Sequence, residues 1–182
     1  FRSGLQPPAG VLDCRNAGTG LRLLAGLLAG QAFPVVLDGS PQLRRRPMRR
    51  ITEPLQAMGA QIDSHDGRAP LRITPGHLTG QTHRLSIASA QVKSAILLAG
   101  LYAAGMTSVY EPGPSRDHTE RLLQAMGVNL TLAPLRVTLT PPARLAPLDL
   151  RVPGDLSSAA FLLTAVALIP GSAVSILHTG VN

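Results

Sequence analysis

The strongest constraint on this chain is that it repeats itself. Leu55-Gln56-Ala57-Met58-Gly59 returns as Leu123-Gln124-Ala125-Met126-Gly127, 68 residues later. Each copy closes a stretch of helical apolar spacing, where the glycine reads as a helix C-cap. Ser89-Ala90 opens an apolar run that closes near Gly105, and Ser157-Ser158 opens another that closes at Gly171, offsets of 68 and 66 residues. A unit of this length holds several short elements, and each copy must cover the apolar face of the next.

Within one copy the order is helix, strand, helix, strand, strand. The first copy predicts a helix over 17–29, a strand over 34–37, a helix over 48–58, and strands over 61–63 and 71–74 joined through the hairpin dipeptide Asp66-Gly67. The second predicts a leading strand over 84–88, a helix over 91–104, a strand over 107–110, a helix over 118–126, and strands over 129–132 and 136–140. The third predicts a strand over 148–152, a helix over 157–168 and a strand over 173–177. A unit that stops there needs more chain or a companion to bury its apolar face. The stretch from Thr140 to Pro147, rich in Pro and Ala and without period, is the expected crossover. It separates a first domain over 1–147 from the beginning of a second over 148–182.

Of the 182 residues, 45% are hydrophobic and 15% charged, which supports a buried core and excludes a disordered chain. A single cysteine, Cys14, cannot close an intramolecular disulfide, and no Cys/His spacing suggests a metal site, so a cytoplasmic protein is the default expectation. The apolar segment after Leu156 runs about a dozen residues to Pro170-Gly171, short of the ~20 that a membrane helix needs, and reads as a buried core helix. The net charge of +7 rests on 17 basic residues, of which only Lys93 is a lysine. Arginine's planar fork suits phosphate and carboxylate, so an anionic ligand is one explanation; a coding bias that writes Arg for Lys is the other. With no Trp, three Phe and two Tyr there is no platform for stacking bases, and nucleic acid is not an expected partner.

Four segments place small, hydroxyl and cationic residues at element tips, where ligand contacts are built. Asn16-Ala17-Gly18-Thr19-Gly20-Leu21-Arg22 starts a helix, either as an anion site with Arg22 one turn in or as a plain Asn16 N-cap. Arg44-Arg45-Arg46 lies between a strand end and a helix expected to open at Pro47, a costly place for three cations without an anion unless the loop is simply solvated. Ser89-Ala90-Gln91-Val92-Lys93-Ser94-Ala95 puts a hydroxyl and an amide ahead of an apolar helix, with Ser89 as N-cap the plainer reading. Ser115-Arg116-Asp117-His118-Thr119-Glu120 offers a hydroxyl, a guanidinium and an imidazole, or a capping arrangement of Asp117 with Glu120.

These four, with Pro153-Gly154-Asp155-Leu156-Ser157-Ser158-Ala159-Ala160, stand in the order and spacing of one family, and over nearly the whole chain the sequence resembles the 5-enolpyruvylshikimate-3-phosphate (EPSP) synthases. The resemblance implies an inside-out α/β fold of repeated βαβαββ units, of which this chain covers mainly the first large domain. It implies enolpyruvyl transfer from phosphoenolpyruvate to the 5-hydroxyl of shikimate 3-phosphate, releasing phosphate, in aromatic amino-acid biosynthesis, with no metal or organic cofactor. Carried over by motif, Ser89, Ala90, Gln91 and Arg116 correspond to shikimate-3-phosphate contacts, and Gly18, Arg46 and Gln91 to phosphoenolpyruvate contacts. Asn16, Thr19, Arg22, Lys93 and Ser115 support them. A glycine at 18 implies sensitivity to the inhibitor glyphosate. Arg15 stands where the family usually has Gly. The family's N-terminal Lys-Ser motif and its acid/base residues are not among these residues, so no catalytic residue is assigned and the site is expected to need the remainder of the enzyme. Asp155 reads as a cap, not as the base. The related UDP-N-acetylglucosamine enolpyruvyl transferases commonly use a loop cysteine, and Cys14 lies in the wrong motif. The alternative is a non-catalytic anion-binding or assembly domain derived from the synthase.

Overall fold

The computed structural model describes residues 4–142 and 144–180. The chain divides into two compact units, Phe1–Ala146 and Pro147–Asn182. In the larger unit β1 (Leu12–Asp13) leads to α1 (Gly18–Leu28), β2 (Val35–Asp38), a one-turn α2 (Pro41–Arg44), α3 (Arg49–Ala57), β3 (Gln61–His65) and β4 (Arg68–Thr74). The pattern restarts with β5 (Thr82–Arg84), α4 (Ala90–Gly100), β6 (Thr107–Tyr110), α5 (His118–Ala125), β7 (Asn129–Ala133) and β8 (Arg136–Thr140). The two four-stranded sheets have the matching orders β1-β2-β4-β3 and β5-β6-β8-β7. In each, the leading strand pairs in parallel and the hairpin antiparallel.

Each sheet turns one face inward. β4 alternates exposed Arg68 and Arg72 with buried Ala69, Leu71 and Ile73, the period-two signature of a strand wet on one side. The helices lie inside. α4 is buried from Val92 to Leu97 and again at Ala99 and Gly100, which is why its sequence is apolar almost all round. Helices within and sheets without make this an inside-out α/β arrangement.

The repeated pentapeptides end α3 and α5, and their glycines take left-handed backbones, φ +104° at Gly59 and +85° at Gly127. A Cβ at Gly127 would meet open space, whereas one at Gly59 would collide with the His77 carbonyl. Gly127→Ala should therefore lose only the roughly 1–2 kcal/mol of a left-handed L-residue, and Gly59→Ala distinctly more. Equal losses in urea unfolding would contradict that packing difference.

Several elements differ from the sequence expectations. The strand expected over 84–88 is Thr82–Arg84, because its partner β6 ends at Tyr110, opposite Arg84. β1 went unpredicted; two residues are too short to show a period. The arginine-rich loop contains α2, capped by Ser40 Oγ, which accepts from the Leu43 N–H at 3.2 Å. The proline that opens a helix is therefore Pro41 rather than Pro47, which precedes the α3 N-cap Met48.

The smaller unit holds α6 (Leu156–Leu168), capped by the Asp155 carboxylate, which accepts from the Ser157 N–H at 2.9 Å. The strands expected over 148–152 and 173–177 do not form among the described residues, where Gly154 and Thr179 make a lone parallel bridge. Nor is α6 a buried core helix: Ala159 is its one buried residue, and Phe161 and Leu168 are 82% and 76% exposed. One helix with its flanking segments supplies no second layer and no ladder for a strand to join. No helix among the described residues is long and apolar enough to cross a membrane.

Candidate functional site

No side chain caps α1; Ala17 is its N-cap, and Asn16 Oδ1 instead accepts from Ser40 Oγ at 3.4 Å. The helix start thus keeps first-turn N–H groups and the positive end of its dipole without a side-chain partner. Around it side chains converge from both repeats. Arg22 Nη1 donates to Gln91 Oε1 at 2.7 Å, and Gln91 Nε2 donates to Thr19 Oγ1 at 2.7 Å. Arg46 closes the group, since a Cβ on Gly18 would lie 2.7 Å from Arg46 Nη1 and 3.6 Å from Arg22 Nη1.

Burial draws the Arg22 guanidinium below its ordinary pKa, and the like charges of Arg46 and Arg50 add to the effect. Among the described residues no carboxylate forms an ion pair with Arg22, Arg46 or Arg50. Arg44 differs: it holds Asp38 in a two-point pair, at 2.8 and 2.5 Å, and keeps that carboxylate below its usual range. The arginine run therefore divides into a structural Arg44 and an Arg46 that faces the α1 start. Arg15 adopts φ +50°, a region that favours Gly, while its N–H donates to Asp13 Oδ1 at 2.8 Å and its carbonyl accepts from the Ser40 N–H at 2.7 Å. The loop keeps a left-handed turn despite the side chain.

The second cluster surrounds the start of α4. Ser89 caps it, its Oγ accepting from the Val92 N–H at 3.5 Å, so Ala90 and Gln91 are its first residues. The loop that carries Ser115 and Arg116 runs alongside, close enough that a Cβ on Gly113 would lie 3.9 Å from the Ala88 Cβ. Arg116 is exposed and has no ion pair among the described residues, while Ser115 Oγ is buried without a hydrogen-bond partner there. Asp117 and Glu120 do not form a capping pair. Asp117 binds Arg121 at 2.8 Å, and Glu120 turns inward to Lys93.

Lys93, expected to support the ligand, is buried with its Nζ 2.8 Å from Glu111 Oε2 and 2.7 Å from Glu120 Oε1. Burial pulls its pKa down, but the two carboxylates outweigh that and hold it above the ordinary lysine value. The structure adds residues that no motif signalled. Arg50, Glu53, His83, Arg84 and Ser86 line a cavity of about 210 Å³ that reaches Ser89. Burial lowers the His83 pKa, and its Nε2 has no partner among the described residues. Burial, then Asp13 and Asp38, raises the Cys14 thiol, which disfavours a thiolate nucleophile. No group of three or more His, Cys, Asp or Glu residues that could hold a metal occurs among the described residues.

A family model described as EPSP synthase (3-phosphoshikimate 1-carboxyvinyltransferase) matches residues 2–182. The chain belongs to the EPSP synthase family. It is 55% identical over 181 residues to a 3-phosphoshikimate 1-carboxyvinyltransferase of Xanthomonas campestris pv. campestris (strain B100), covering 98% of this chain and 41% of that protein. A Methylococcus capsulatus (strain Bath) protein of the same name is 53% identical over the same length. The solved EPSP synthase of Acinetobacter baumannii superposes with a TM-score of 0.86 at 45% identity, again over 98% of this chain and 41% of the other. The chain therefore spans about two fifths of the length of the curated EPSP synthases it matches.

Proposed function

We propose that this chain carries one wall of an EPSP synthase active site, binding phosphoenolpyruvate and shikimate 3-phosphate side by side. The observation that supports this best is the Arg22–Gln91–Thr19 bridge at 2.7 Å steps beside Gly18 and Arg46. Gln91 opens α4 and Thr19 opens α1, so one amide stands between the two helix starts. On this reading Gly18, Arg22 and Arg46 hold the phosphate and carboxylate of phosphoenolpyruvate. Ser89, Ala90 and Arg116 hold shikimate 3-phosphate, and Gln91 lies between them. The 5-hydroxyl oxygen adds to C2 of phosphoenolpyruvate while C3 gains a proton, giving a tetrahedral intermediate. Loss of a C3 proton then expels phosphate and leaves the enolpyruvyl ether. The cations present suit the charge that collects on the departing phosphate.

Calorimetric titration with shikimate 3-phosphate tests the reading. Saturable binding, weakened by Ser89→Ala and by Arg116→Ala, is the expected result, and no binding by the wild-type chain would overturn it. Phosphate release by this chain alone is not expected. Gly18→Ala should weaken glyphosate binding far more than phosphoenolpyruvate binding, because on the family resemblance the added methyl intrudes on the inhibitor, while the protein atom nearest to it, Arg46 Nη1 at 2.7 Å, is the end of a flexible side chain that can move aside. Equal weakening of both would show that Gly18 does not discriminate between them.

A further inference from the structure

The chain's one lysine is buried where its ammonium meets two carboxylates. Lys93 is 4% exposed and the carboxylates it joins are 7% and 5% exposed. The three groups come from three segments: α4, the residue after β6, and the first turn of α5. An ammonium is a compact charge with three donors that can be aimed at two carboxylates from different directions, whereas a guanidinium is planar and forked. In a chain that writes Arg at every other basic position, a lysine here marks a geometric demand. Stability alone does not explain it. Two carboxylates share one ammonium, Glu111 Oε1 and Glu120 Oε2 are buried without hydrogen-bond partners among the described residues, and an apolar cluster would do as well energetically.

What the node does is tie segments together. Ser89 and Gln91 precede Lys93 within about one turn of helix, and Ser115 and Arg116 lie on the stretch that runs from Glu111 to Glu120. Ser94 Oγ and Thr119 Oγ1 add a second tie at 2.6 Å. Resting on the substrate assignment above, we propose that Lys93 is a positioning residue that holds the Ser89–Gln91 wall in register with the Ser115–Arg116 wall without touching the ligand.

The test uses Lys93→Met/Glu111→Gln/Glu120→Gln, which removes the charges at nearly constant volume and avoids the two unpaired carboxylates that Lys93→Met alone leaves. Amide hydrogen exchange at positions 93 and 121, whose N–H groups donate to the Ser89 and Asp117 carbonyls at 3.0 Å in the first turns of α4 and α5, should quicken roughly tenfold while α1 and β2 keep their protection and Tm stays near the wild-type value. Shikimate 3-phosphate binding should weaken by roughly tenfold, an effect that a merely structural role with an unchanged Tm would not produce. Lys93→Arg should not rescue binding. Unchanged exchange, unchanged affinity in the triple variant, or full affinity in Lys93→Arg would each overturn the proposal. A wild-type chain that fails to bind shikimate 3-phosphate would sink the substrate assignment, and the exchange result would still decide whether the node ties the two segments.

Discussion

Lys93→Met alone is expected to cost about 3–5 kcal/mol of unfolding free energy, the loss typical of removing one partner from a buried ion pair. Against a usual domain stability of about 5–15 kcal/mol this is severe. The reason is what stays behind: Glu111 and Glu120, both nearly inaccessible, with the cation that lay 2.8 and 2.7 Å from them gone. Neither carboxylate then has a cation to offset its desolvation, and an uncompensated buried charge is what makes the loss large. The wild-type lysine's pKa is raised in the folded state, so its contribution is complete below the ordinary lysine value and fades only as pH climbs through the raised one. Urea unfolding of both proteins should therefore show a deficit that stays level at neutral pH and shrinks only as pH climbs beyond the ordinary lysine range. A negligible deficit at neutral pH would mean that the glutamates are not left charged and buried.

What could be read in the sequence follows the range of the interaction that fixes it. The Leu-Gln-Ala-Met-Gly pentapeptides, the Asp66-Gly67 hairpin, the Ser89 cap and the Asp155 cap are local, and each forms where its residues stand. The partners of Lys93 lie 18 and 27 residues onward, on segments whose approach only the fold decides. Arg44 and Arg46 look alike in a run of three, yet Asp38 at the end of β2 captures the first and leaves the second beside Gly18. The Gln91–Thr19 contact joins residues 72 apart, one on each repeat, and the motifs that contain them say nothing about their distance. The third repeat's strands failed for a plainer reason. Apolar alternation names candidates for a ladder, but a ladder needs neighbours, and among its described residues the smaller unit supplies only the Gly154–Thr179 bridge.

The same blindness to distance hides Gly26, and Gly26→Ala separates local from tertiary energetics by sign. In an isolated helix alanine is better than glycine by roughly 0.8–1.0 kcal/mol, so α1 taken alone should gain. In the folded chain Gly26 is buried against α4, and its new methyl would fall upon the Ala95 carbonyl group, backbone that cannot swing aside as a side chain can. Overpacking a core costs about 1–3 kcal/mol where neighbours can yield and more where they cannot; with backbone on the other side we expect about 3 kcal/mol or more, outweighing propensity. The damage should also reach the site. Arg22 and Gln91 each lie four residues before this crossing, on α1 and α4, so helices forced apart at Gly26 and Ala95 stretch the 2.7 Å Arg22–Gln91 bond. Gly26→Ala should therefore both lower the urea midpoint and weaken phosphoenolpyruvate binding at temperatures where the variant is still folded. A variant more stable than wild type would show that α1 and α4 are not held in backbone contact.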